Sequence, residues 1–319
     1  MSRPEPKLDQ DGFPVPERWE PTEDKRRSAY KNGNPFKTRW VRAFVMLVIV
    51  FGVATMLLKD QFPNIMAQWY MQAAVEDLNN GNLESALSNS EGVISWLPED
   101  PRGYYLRAEL HREMGDLDAA LEDYDKAVEL RSNWLPAIAG RANLNLRMKN
   151  FEAAVADNTR AIRLSSEAQE AMYRNNRAYA RALGGFELEA GLEDVEAAIE
   201  SREQDLEYDP GDSMAKLDLS AYLDTRGYLL HLLGNDERAL EDLNRAIELT
   251  EEAYTRGLGP LAPQGIETNP AIKQQLDESL AVMHEHRALV HEKLGNAEAA
   301  KTDHERAQQL GYDPDAGVF

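Results

Sequence analysis

The stretch GDLDAALEDYDKAVEL, Gly115 to Leu130, returns as GNDERALEDLNRAIEL at Gly234 to Leu249, with eight of the sixteen positions identical. Further versions start at Gly81 (GNLESALSNSEGVISW), Lys149 (KNFEAAVADNTRAIRL) and Gly295 (GNAEAAKTDHERAQQL). A degenerate copy, GFELEAGLEDVEAAIE, starts at Gly185. The starts at 81, 115 and 149 are 34 residues apart. A chain that repeats itself at such a period builds one small unit many times. Each unit cannot bury its own apolar face, and stacked neighbours bury it together.

Within each unit a helical segment ends at glycine, which enters the left-handed conformation that closes a helix. The next residue is Asn82, Asp116, Asn150, Asn235 or Asn296, a residue type suited to N-cap the following helix. Small residues recur at spacings of 12 and 7: Ala74, Ala86, Val93; Ala108, Ala120, Ala127; Ala142, Ala154, Ala161; Gly227, Ala239, Ala246; Ala288, Ala300, Ala307. Small side chains at those offsets let two antiparallel helices approach closely. Larger residues such as Tyr104, Leu117, Tyr124 and Leu130 fill the spaces around them.

On these residues the chain resembles the tetratricopeptide repeat family: 34 residues, two helices, small residues at the eighth, twentieth and twenty-seventh positions. The resemblance covers about residues 67–310 and implies an all-α, right-handed α-solenoid of about six helix-turn-helix units. The units are expected near 67–100, 101–134, 135–168, 171–200, 220–253 and 281–314. The fourth carries one extra residue in its turn. Pro98 is the clear case of the family's terminal proline. Residues 201–219 and 255–270 break the period as insertions, the first acidic with a Pro-Gly turn and the second rich in Pro and Gly. They are either tolerated surface loops or partner contacts. The last helix, AAKTDHERAQQL, has the polar outer side of an end cap.

The solenoid has a different kind of chain in front of it. Residues 1–39 are polar and proline-bearing and read as a disordered tail. Residues 40–59 follow as a candidate transmembrane helix, with no charge from Ala43 to Leu58. Counted over 41–58, with Arg42 snorkelling, the span is about 27 Å of helix, and Trp40 stands as an interfacial anchor. A buried core helix competes, but a core helix rarely lacks a polar face. A cleaved signal is disfavoured by forty preceding residues and the absence of a small-x-small site. Lys25, Arg26, Arg27, Lys31, Lys37, Arg39 and Arg42 precede the span, whereas only Lys59 follows it before Arg102. The positive-inside rule then places the N-terminus in the cytoplasm and the solenoid outside it, after a linker at 60–66. A cytoplasmic solenoid is the topological alternative.

Charge and composition narrow the chemistry. Residues 1–59 carry a net charge of +4 and the remainder −25, out of −21 in all. So acidic a domain repels phosphate backbones, which argues against nucleic acid. The chain has no cysteine, which excludes disulfides, thiolate metal sites and a cysteine nucleophile. There is no GxSxG, no HExxH and no Gly-rich loop after a strand, so no enzyme site is nominated and no cofactor is implied.

Two constellations remain. Arg107, Arg141, Arg177, Arg226 and Arg287 hold the seventh position of five units; Asp123, Asp157, Asp194, Asp242 and Asp303 hold the twenty-third. The first unit has Ala73 and Asn89 instead. Arg and Asp appear and vanish together, which predicts a bidentate pair within each unit or between neighbours. The last unit holds His284, His286, His291 and His304. No pair has the i,i+4 spacing of a helical metal site, and packed histidines are favoured over a metal-binding or envelope-stress role.

The resemblance also implies a concave face built from first helices. The residues it places there are Tyr105, Glu109, Arg112, Asn143, Arg147, Asn176, Tyr179 and Tyr228, adaptable contact types apart from Glu109. Asn143 matches an asparagine that some family members use to hold a peptide carboxylate, but Ala139 stands where its lysine partner belongs. The expectation is a non-catalytic, membrane-tethered scaffold binding a protein partner through that face, with the metal role as the alternative.

Overall fold

The computed structural model describes residues 35–58, 61–256 and 270–312. The first 34 residues, and most of the insertion at 255–270, lie outside the described residues. The chain divides into two compact units, Met1–Ile65 and Met66–Phe319. Thirteen helices and no strand are found among the described residues.

In the first unit, α1 spans Pro35–Leu58 and starts five residues earlier than the sequence suggests. Every side chain from Arg39 to Val53 is exposed, including Trp40, Phe44, Ile49 and Phe51. Among the described residues no helix is long and apolar enough to cross a membrane. The spanning helix expected at 40–59 is therefore not found as such. The side chains beyond Val53, which complete that stretch, lie outside the described residues.

The helices from Phe62 onward come in pairs. These are α2 (Phe62–Asn79) with α3 (Leu83–Trp96), α4 (Pro101–Met114) with α5 (Leu117–Leu130), and α6 (Leu135–Arg147) with α7 (Phe151–Leu164). Then come α8 (Glu167–Gly184) with α9 (Leu188–Tyr208), α10 (Ser213–Leu232) with α11 (Asp236–Arg256), and α12 (Pro270–Lys293) with α13 (Ala297–Gln309). The residues read as a linker at 60–66 are helical from Phe62. The stretch 201–219 is no loop. It lengthens α9 and α10, and only Asp209–Asp212 turn between them.

The small residues at the 12 and 7 spacings form the contact seam. Ala74, Ala86, Ala108, Ala120, Ala127, Ala154, Ala161, Ala239, Ala246, Ala288 and Ala307 are all fully buried. At Gly227 an added Cβ would lie 2.8 Å from Leu243 Cγ on the partner helix, so only glycine allows that approach. Larger side chains pack around the seam, such as Tyr124 with Leu144 and Ala108.

The turns follow the glycine rule with one exception. Gly115 closes α4 at φ 82°, whereas Lys149 takes the same role after α6 at φ 61°. The caps are less uniform than the sequence implies. Asp116 accepts from the Ala119 amide, but Asn82, Asn150 and Asn296 make no side-chain cap. Asp100 and Asp212 do cap, accepting from Arg102 and from Met214 and Ala215.

Candidate functional site

The five first helices α4, α6, α8, α10 and α12, with Tyr124 of α5, line one groove of about 670 Å³. Of the residues the sequence nominates, Glu109, Arg112, Asn143, Arg147, Asn176 and Tyr179 lie in it. Two tyrosines do not. Tyr105 turns into the packing, 5.1 Å from the Trp134 ring and 6.0 Å from Tyr124. Burial and the neighbouring Glu109 push its phenol up to about 12. Tyr228 stacks flat on His286 at 4.2 Å.

The groove walls differ in how far their polar groups are satisfied. Glu109 accepts from Tyr124 Oη at 2.5 Å and from Arg112 at 3.0 Å, so that trio is closed on itself. Burial, with the Glu109 hydrogen bond, drives the Tyr124 phenol far above its ordinary range, which keeps it a donor. The Arg147, Asn143 and Asn176 side chains, by contrast, have no hydrogen-bond or ion-pair partner among the described residues. Asn175 Oδ1 is buried, lines the same groove and has no hydrogen bond. A buried carbonyl left open in this way costs about 1–3 kcal/mol until a donor reaches it.

The groove is also lined by groups the sequence reading does not nominate: Asp224 of α10 and Gln275, Glu278 and Ser279 of α12. The three on α12 are missed because that helix begins at Pro270, eleven residues ahead of the expected unit. Asp224 is buried and accepts from His286 Nδ1 at 3.0 Å. Tyr179 lies edge-on to the same imidazole at 6.3 Å, and burial raises its phenol well above its usual range.

The arginine–aspartate pairs are not among the groove's lining residues and bond each other. Arg107 reaches Asp123 through two bonds of 2.8 Å, Arg226 reaches Asp242 through two of 2.7 Å, and Arg287 reaches Asp303 at 2.8 and 2.6 Å. Arg141 and Asp157 pair likewise at 2.9 and 2.7 Å. In the fourth unit Arg177 pairs with Asp194 across a spacing of 17 instead of 16, and Arg174 and Arg181 join them.

The histidines of the last unit are each committed to a carboxylate. His284 bonds Asp303 at 2.8 Å, His286 bonds Asp224, and His304 lies between Glu285 and Glu292 at 2.9 and 3.3 Å. His291 stands 3.9 Å from Asp303. Among the described residues no three His, Asp or Glu side chains are grouped to hold a metal.

With that geometry in view, two segments, residues 101–133 and 221–252, match models of the tetratricopeptide repeat. The chain carries tetratricopeptide repeats. A tetratricopeptide repeat protein 36 homolog from Drosophila melanogaster is 33% identical over 92 residues. That match takes in 29% of this chain and 38% of the fly protein. The structure of PilW, described as a widely conserved type IV pilus biogenesis factor, covers 78% of this chain with a TM-score of 0.54 at 13% identity. That likeness is one of fold, spanning 96% of PilW. MamA (41-end) from Desulfovibrio magneticus RS-1 covers 59% of this chain and 96% of its own, at 20% identity and a TM-score of 0.48. Tetratricopeptide repeats serve generally as scaffolds for protein–protein interaction.

Proposed function

We propose that this protein is a non-catalytic, membrane-tethered adaptor that holds an extended segment of another protein in the groove of its repeats. The observation that carries this reading is the open wall of the groove. Arg147, Asn143 and Asn176 are unengaged donors, and Asn175 Oδ1 is a buried acceptor with no donor. An extended peptide brings both kinds of group at every residue, so it can satisfy asparagine amides along its length. The tether is α1, whose eleven large apolar side chains from Trp40 to Val53 all face outward. A patch of that kind is not left to water in a soluble monomer. The seven basic residues before it, against Lys59 alone between it and Arg102, favour a cytoplasmic N-terminus and repeats on the other side.

The test is capture from membrane extract by the full chain in lipid nanodiscs, at low and high salt. A specific partner should be lost with Arg147→Glu and with Asn176→Ala, neither of which breaks an internal bond. Capture that ignores both substitutions, or no capture at all, would sink the groove reading. Protease digestion of intact cells against opened ones decides the topology.

A further inference from the structure

The groove is chemically uneven along its length. At α4 and α5 its polar groups are matched: Glu109, Arg112 and Tyr124 satisfy one another. Tyr124 holds the twenty-fourth position of its unit and reaches the groove from the second helix. One unit later that position is Asn158 of α7, which is 3% exposed. Its Nδ2 donates to the Ala154 carbonyl at 2.9 Å, but its Oδ1 has no hydrogen bond. Asn175 of α8, in the groove lining, likewise has a buried Oδ1 without a donor. Where the second unit sets a phenol against a carboxylate, the third and fourth leave two carbonyl oxygens open.

From α8 onward every charged group lining the groove is an anion, and no lysine or arginine lines it there among the described residues. Asp224 is buried, with both oxygens near His286 Nδ1, at 3.0 and 3.1 Å. Glu278 accepts from Gln274 Nε2 at 2.8 Å, a neutral donor that leaves its charge in place. Ser279 donates its proton to the Gln275 carbonyl at 3.0 Å, so its oxygen faces other groups as an acceptor. Val282 and Met283 add apolar surface beside these groups.

We infer that the segment held in the groove sets a lysine or arginine side chain over α8, α10 and α12, with its cation among the Asn175 carbonyl, Asp224 and Glu278. The inference rests on the groove reading proposed above and names the chemistry of its partner. Ammonium and guanidinium groups only donate, so one such group serves open carbonyls and carboxylates together. A neutral amide would fill the carbonyl and leave the anions uncompensated, and a carboxylate would suit neither. The stem of a basic side chain is apolar and has Val282 and Met283 to lie against. Arg147 repels a cation from the α6 stretch, which confines it to the later helices. The net charge of −25 after residue 59 draws a basic segment toward the repeats.

The test uses the full chain in phosphatidylcholine nanodiscs, which carry no lipid charge of their own, and a phage-displayed library of random decapeptides. Among peptides retained by the wild-type protein and lost with Asn176→Ala, lysine or arginine should be enriched at one position over the unselected library. Selection on Glu278→Lys should replace that enrichment with aspartate or glutamate. In a synthetic copy of a selected peptide, exchanging the basic residue for norleucine or citrulline should weaken binding about tenfold. If no retained peptide depends on Asn176, the groove reading falls and this inference with it. Peptides that depend on Asn176 but show no basic enrichment overturn the inference and leave the groove reading standing. So does enrichment that Glu278→Lys does not change, or equal affinity for the uncharged peptide.

Discussion

Arg141 grips Asp157 with two parallel bonds, Nε to Oδ2 at 2.9 Å and Nη2 to Oδ1 at 2.7 Å, across the helices of one unit. Its remaining nitrogen, Nη1, reaches back to Asp125 of the preceding unit at 2.6 Å. The same reach recurs from Arg177 to Thr159 and from Arg287 to Asn244, each the twenty-fifth residue of the unit before. One guanidinium therefore ties a helix pair together and ties it to its neighbour. Arginine suits the task because its fork offers three directions at once.

Burial decides which bond matters. Asp157 is 5% exposed, and its carboxylate has no water to turn to if Arg141 is removed. Arg141→Leu should cost about 3 kcal/mol, and Arg141→Leu with Asp157→Leu should recover most of it. Asp125→Asn, on a side chain 58% exposed, should cost under about 1 kcal/mol. Urea denaturation of these variants and of Asp157→Asn, each against the wild-type protein, checks this. Equal losses for Asp157→Asn and Asp125→Asn would refute the ranking.

Lys149 closes α6 at φ 61°, a conformation that strains a side chain with a Cβ by about 1–2 kcal/mol. Lys149→Gly should therefore raise stability by up to about 1 kcal/mol, with Gly115→Ala falling by a similar amount. Paired thermal melts would expose an error if Lys149→Gly lowered the midpoint.

Gly140→Ala tests the contact between units from the other side. Its Cβ would sit 2.6 Å from the Tyr124 ring, which is fully buried and cannot retreat freely. Overpacking of this kind costs about 1–3 kcal/mol. Because Tyr124 Oη holds Glu109 in the groove wall, hydrogen exchange should rise in α4 and α5 before the outer units respond. Exchange that rises first in α12 would argue against the local account.

Acid stability should show the Asp303 carboxyl. Burial alone would raise it, but hydrogen bonds from Arg287 and His284 outweigh burial and hold it at about 2, below its ordinary 3.8. A depressed carboxylate contributes stability above the unfolded value and loses it as pH falls through the folded one. The difference between the wild-type protein and Asp303→Asn should thus be full above about pH 5, on the order of 2 kcal/mol, and shrink toward pH 2. Chemical denaturation at pH 6, 4 and 2.5 measures it. A difference that is flat with pH would mean the pair is not ionic.

Much of this architecture is legible in the residues. The spacing of Ala108, Ala120 and Ala127 repeats in other units, and the structure buries all three completely. Arginine and aspartate vary together, and the structure joins them. The groove is legible only in part. Arg112, Asn143, Arg147, Asn176 and Tyr179 reach it, but Tyr105 and Tyr228 occupy nominated positions and turn into packing against Trp134 and His286. A position number says which way a Cα–Cβ bond points on an ideal stack. The ring follows whichever neighbouring cavity accepts it.

The sequence by itself determined the unit: two helices, their seam of small residues and the ion pair across them. All of these act within 34 residues and repeat, so local periodicity reports them. Tertiary structure alone decided what faces the groove and what stays open at the array's end. Gln275 and Glu278 joined the wall because α12 runs upstream of its unit, and Asn175 Oδ1 was left without a donor. Trp69 was left uncovered. Those outcomes depend on where non-adjacent helices come to rest against one another, and no single unit carries that information.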